Sequence, residues 1–136
     1  MSLNENKVLI HQLINEVSTK GKFEVLNELL SDNYIEHAGP PTLPQGREAF
    51  KQLTLVFRNA FPDWTFTIED VVAEGDRMAI RGTGRGTHLG TFLHFPPTGK
   101  QGTMQAMHLF RVDDGKVVER WGFPDMMGLV QQLTTG

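Results

Sequence analysis

The 136 residues include 13 basic and 16 acidic side chains in no long block, and the formal net charge of -3 leaves no electrostatic footprint for nucleic acid or an anionic membrane. The chain has no cysteine, so disulfides, thiol catalysis and thiolate metal sites are excluded. No apolar run approaches the ~20 residues of a membrane span, and the polar opening MSLNENK is not a signal peptide; a cytoplasmic protein with one domain over 1–136 is expected.

From Asn4 to about Lys20, Val8, Ile10, Leu13, Ile14 and Val17 recur at helical spacing, which predicts an amphipathic helix ended at Gly21. A short second helix buries Phe23, Leu26, Leu29 and Leu30. Asp32 to His37 reads as a short extended piece, followed by the proline-rich turn Ala38 to Pro44. A third helix is expected from Arg47 to Ala60, with Phe50, Leu53 and Phe57 on its apolar side, and Pro62 stops it.

After Trp64 the period changes to two. Phe66, Ile68 and Val72 alternate with polar residues, Gly75-Asp76 makes a turn, and Met78 to His88 returns as the partner strand. On that strand Gly82, Gly84 and Gly86 share a face with Met78, Ile80 and His88. Three glycines on one face fit either a bent strand packed tightly on its neighbours or a hollow for a ligand.

Two further β-prone runs meet at Asp113-Asp114-Gly115. On the first, Met104, Ala106, His108, Phe110 and Val112 form one stripe, so a histidine stands among apolar residues. A three-residue loop places Arg120 opposite His108 with Gly122 on the same face, whereas a two-residue loop places Trp121 there. After Pro124, MMGLVQQL reads as a closing helix. Helices followed by antiparallel strands predict an α+β domain in which three helices cover one side of a curved sheet.

No glycine-rich phosphate loop opens a helix, and no Gly-x-Ser-x-Gly elbow exists. The five histidines lack metal-ligand spacing, so no metal is expected. His37, His88 and His108, with Glu36 and Asp125, remain as candidates for proton transfer. Each has a structural alternative, and for Asp125 it is to cap the helix that follows.

FPDWTFTIEDVVAEGD, GTGRGTHLGTFLHFPPTGK, MHLFRVDDGKVVERWGFPD and the tail GLVQQL together resemble the SnoaL-like polyketide cyclase (ester cyclase) family of the nuclear transport factor 2-like superfamily. The resemblance implies a cone-shaped fold, a deep pocket between helices and sheet, metal- and cofactor-free chemistry, and an oligomer, expected as a homodimer through the outer sheet face. It maps His108 onto a pocket histidine, His88 onto a histidine common in the family and His37 onto a less certain one. The acid/base aspartate of the characterised cyclases falls at Gly122, while Asp125 matches a second, downstream aspartate.

Two functions follow. One is a cyclase acting on a hydrophobic carbonyl compound by aldol-type chemistry, with His108 or Asp125 as base and a histidine or Arg120 on the enolate oxygen. The other is a binding protein of the same fold that has lost catalysis with the aspartate. In either case the pocket is expected to gather His37, His88, His108, Trp64, Gly82, Gly84, Phe110, Arg120 and Gly122.

Overall fold

The first helix, α1 (Leu3–Leu13), starts at a capping box. The Ser2 hydroxyl accepts the Glu5 N–H at 3.1 Å while the Glu5 carboxylate accepts the Ser2 N–H at 3.3 Å. The computed structural model describes residues 2–135. Past Leu13 the winding loosens into a π-helix, Ile14–Thr19, whose last turn closes with Lys20 donating to the carbonyl of Asn15 at 3.2 Å. Gly21, at φ +72°, ends it. Leu9, Ile10, Leu13, Ile14 and Val17 are buried, but Val8 points outward at 65% exposure. The expected stripe was drawn one residue too wide at that end.

A turn of 3-10 helix (Phe23–Val25) leads to the four-residue α2 (Leu26–Leu29), then β1 (Leu30–Glu36) and α3 (Arg47–Ala60). Four long strands follow: β2 (Thr65–Glu74), β3 (Arg77–Thr87), β4 (Gln101–Asp113) and β5 (Lys116–Pro124), before α4 (Met126–Thr134). They form one five-stranded sheet in the order β1-β5-β4-β3-β2. β1 runs parallel to β5, and the remaining pairs are antiparallel. The helices bury their apolar sides on one face, giving the α+β architecture that the change of period indicates and the helices-on-sheet arrangement that the resemblance implies. Among the described residues, no helix is long and apolar enough to cross a membrane.

Two bulges set which residues face inward. In β2 the pairing shifts between Ile68 and Asp70, so Val71 and Ala73 pack against the core while Val72, expected inside, is 68% exposed. In the β4–β5 hairpin, Asp113 pairs with Lys116 around a two-residue turn in which Asp114 and Gly115 have φ of +49° and +74°. Neither expected register holds. A shift after Val117 adds one residue on β5, so Gly122 lies opposite His108 and Arg120 opposite Phe110. The bulge restores the parity that the tight turn would have inverted, and His108, Arg120 and Gly122 share the inner face.

The glycine stripe of β3 is filled by the protein itself. A Cβ on Gly84 would lie 2.0 Å from the Trp64 ring, one on Gly82 2.3 Å from the Phe66 ring, and one on Gly86 2.6 Å from Phe61. Of the two readings of the stripe, close packing holds: aromatic side chains from β2 and the turn before it lie flat on bare backbone. Gly84→Ala should therefore overpack Trp64 and cost about 1–3 kcal/mol, seen as a lower urea midpoint at unchanged slope.

Candidate functional site

Because those rings are drawn down onto β3, a gap remains between them and α3. It is a cavity of about 90 Å³, walled by Leu53, Thr54 and Phe57 of α3, Ile14 and Ser18 of the π-helix, and Trp64 and Phe66. Met104, His108, Arg120 and Pro124 form its floor along β4 and β5, and Ala38 completes it. Phe57 stacks on Trp64 with ring centres 5.1 Å apart. Leu53 and Phe57 read from sequence as ordinary core, but they are only half-buried because they face this space. An apolar cavity of ~150 Å³ is what holds benzene in other proteins, so a full aromatic ring must part the walls of this one to be enclosed.

His108 is the central polar group of the floor. Its ring lies 5.9 Å from Phe66, and its Nδ1 is buried without a hydrogen-bond partner. Burial, and then the nearby charge of Arg120, lower its pKa from 6.5 to about 3, so the imidazole is neutral near pH 7. A Cβ at Gly122 would sit 2.7 Å from that Nδ1. The ring thus occupies the space that a side chain at position 122 would need.

Arg120 is held from behind. Its Nε and Nη2 donate to the two carboxylate oxygens of Glu36 at 3.0 and 2.7 Å, and its guanidinium lies 4.3 Å from the Phe50 ring centre. Glu36 also accepts the Tyr34 hydroxyl at 2.7 Å and the Ala38 N–H at 3.2 Å. Burial raises the Tyr34 pKa well above its usual value, which keeps the phenol protonated. The parity of β1 turns Tyr34 and Glu36 inward and Ile35 and His37 outward. Of the two candidates the sequence offers here, Glu36 faces inward and His37 outward, and Tyr34 goes unnoticed although the Tyr-x-Glu spacing marks it as sharing the face of Glu36.

The other candidate residues lie elsewhere. His37 is on the outer face, 2.5 Å from Glu119 and stacked on Trp121 at 4.7 Å. His88 is fully buried beyond Phe61, where its Nδ1 accepts the Thr98 N–H at 3.2 Å and ties down the loop before β4. Asp125 caps α4, accepting the Gly128 N–H at 3.0 Å, and is exposed. Gly82 and Gly84 are roofed by Phe66 and Trp64, and Phe110 is core beside His108. Thus His108, Arg120 and Trp64 line the cavity together, with Gly122 directly beneath His108. Among the described residues, no three His, Cys, Asp or Glu side chains converge as metal ligands do.

The depressed pKa of His108 has a measurable sign. Below pH 6.5 the unfolded chain takes up a proton there that the folded protein refuses until about pH 3. This contribution to stability is complete above 6.5 and is lost on acidification, at up to about 1.4 kcal/mol per pH unit. Urea melts at a series of pH values between these limits should show a shallower acid loss for His108→Gln than for wild type.

Comparison with known proteins follows the same lines. The profile of the SnoaL-like polyketide cyclase family matches residues 8–133. The aklanonic acid methyl ester cyclase DauD of Streptomyces sp. (strain C5) is 30% identical over 111 residues, 80% of this chain and 66% of that protein. The nogalonic acid methyl ester cyclase of Streptomyces nogalater is 28% identical, over 83% of this chain and 86% of its own length. Among solved structures, IdmH of Streptomyces antibioticus superposes with a TM-score of 0.82 at 34% identity, covering 95% of this chain and 98% of that one. With a profile match running from α1 into α4 and a fold shared over nearly the whole chain, the chain belongs to the SnoaL-like polyketide cyclase family.

Proposed function

We propose that this chain, as one SnoaL-like domain, is a cyclase that closes a ring in a hydrophobic carbonyl compound by cofactor-free, aldol-type proton transfer. The observation that carries the reading is His108, a neutral imidazole set in the floor of an aromatic-walled cavity. His108 takes the proton α to a carbonyl, and the ring closes when the resulting carbanion attacks a second carbonyl. A base with so low a pKa in the empty cavity is weak. Burial is the larger cause of that low pKa and the field of Arg120 the smaller, and negative charge that develops on the substrate oxygen beside the imidazolium works against both.

Asp125 is not part of this mechanism, since its carboxylate is occupied in capping α4. On this reading the position that corresponds to the acid/base aspartate of the characterised cyclases is Gly122, in the run ERWGFPD. There the ring of His108 takes its room. One observation favours a second reading, a binder of hydrophobic small molecules without catalysis: His108 has no carboxylate hydrogen-bonded to it.

Incubation with aromatic polyketide methyl esters, followed by chromatography of ring-closed product, separates the two. Under the cyclase reading wild type turns over, His108→Gln loses at least about 10²-fold, and Asp125→Asn loses about 1 kcal/mol of stability with little rate. Gly122→Asp should turn the His108 ring and supply its Nδ1 with an acceptor, which raises turnover. Absence of product from both wild type and Gly122→Asp leaves the binder.

The partner expected on the outer sheet face is a second copy of the chain. Met107, Phe123 and Val72 are 56%, 71% and 68% exposed there, beside Leu109 and Trp121, and such a patch favours burial. Light scattering at tens of micromolar should give twice the chain mass, and Phe123→Lys should halve it. A monomeric wild type rejects the dimer.

A further inference from the structure

The guanidinium of Arg120 is more firmly held than a stabilising ion pair requires, and one edge of it is unused. Nε and Nη2 are committed to Glu36, whose two oxygens also accept from Tyr34 and Ala38. Phe50 covers one face of the group, its ring centre 4.3 Å away. Nη1 donates to nothing among the described residues, yet it is not sealed into the core as His108 Nδ1 is. The side chain is 9% exposed, and what exposure it has belongs to a residue of the cavity wall. Arg120 is also the sole permanent charge in that wall.

Buried ion pairs are a weak source of stability, because two apolar side chains of similar volume serve as well or better. A buried pair that leaves one donor pointing into an otherwise apolar space has the form of a pre-organised oxyanion site. Its donors are fixed before any charge arrives, and a dry wall strengthens their effect. The charged and titratable groups around the cavity are few: Arg120 and Glu36 at the β5–β1 edge, Tyr34 behind them, and His108 on β4.

We propose that Tyr34 and Glu36 are positioning residues that hold Arg120 as an oxyanion donor, so that the cavity selects ligands with an enolisable carbonyl or an acidic hydroxyl and binds them ionised. This rests on the small-molecule reading above and names the ligand class for that site. In a reacting complex the α C–H bond breaks and its electron pair enters the enolate. The negative oxygen rests on Arg120 Nη1, and the proton is on His108. With a phenol, the O–H proton leaves to solvent and the phenolate oxygen takes the same place.

The test uses 4-nitrophenol, whose absorbance reports its ionisation, and 4-nitroanisole, a ring of similar shape that cannot ionise. Each is titrated against the whole protein, with quenching of tryptophan fluorescence as the second readout. Wild type should lower the apparent pKa of bound nitrophenol by at least about one unit, a tenfold preference for the anion. Tyr34→Phe should weaken nitrophenolate binding several-fold and leave nitroanisole unchanged. Glu36→Asp should keep part of the preference, and Glu36→Gln should lose it. Because Arg120→Gln leaves a carboxylate buried and unpaired, the double variant Arg120→Met/Glu36→Gln removes both charges and should bind both probes alike.

If nitroanisole binds and nitrophenol shows no shift in wild type, the oxyanion site is wrong while the small-molecule cavity stands. Variants that weaken both probes equally reduce Tyr34 and Glu36 to structural roles and overturn the proposal. Failure of wild type to bind either probe removes the cavity reading together with it.

Discussion

The ion pair between Glu36 and Arg120 is where the parts of this molecule are made to agree. The two residues face each other across the parallel β1–β5 pairing, with the Phe50 ring of α3 against the guanidinium. A charge placed there must be matched, since loss of one partner from a buried pair costs roughly 3–5 kcal/mol. The pair therefore fixes the register of β1 on β5, the inward parity of Tyr34, and the height of α3 above the sheet. The cavity exists because α3 cannot settle further. It stands on a charged, hydrogen-bonded group rather than on a compressible apolar one, while Trp64 and Phe66 are lowered away from it onto glycine backbone.

That division of labour explains the chemistry of the floor. An isolated histidine in an aromatic pocket would be pushed towards neutrality by burial alone, and the fixed charge of Arg120 pushes it the same way. The two groups are thus complementary rather than redundant, one charged and one neutral near pH 7 in the empty site. The protein can hold both because Glu36 neutralises the cation without reaching the histidine.

Much of this was legible in the sequence, and the remainder failed for identifiable reasons. The period change at Trp64, the stop at Pro62 and the Asp-Gly turn are local signals, and they located the helices, the sheet and the hairpin. His108 stood out because a polar residue in an apolar stripe is a local anomaly too. Bulges carry no comparable mark. Val72 and the register of Arg120 depend on one extra residue being extruded, which tertiary packing decides. His88 and His37 drew notice as histidines, but their places depend on a loop folding back over Thr98 and on the parity of a short parallel strand. The glycine stripe is visible in the sequence but supports two readings, since a gap and a close contact both require a missing side chain.

The π-helical turn at Ile14–Thr19 has an evolutionary consequence. Such a turn accommodates one residue more than an α-helix of the same rise, and here it supplies Ile14 and Ser18 to the cavity while Thr19 receives the Phe66 N–H at 3.0 Å. Deleting a single codon from this segment would restore ordinary winding, and because the π turn absorbs the extra residue, Leu9, Ile10 and Leu13 would keep facing the core. What would change is the wall itself, since Ile14 and Ser18 are the residues that the wider turn presents to the cavity. Gain or loss of one residue here is therefore a step that reshapes the cavity while sparing the fold.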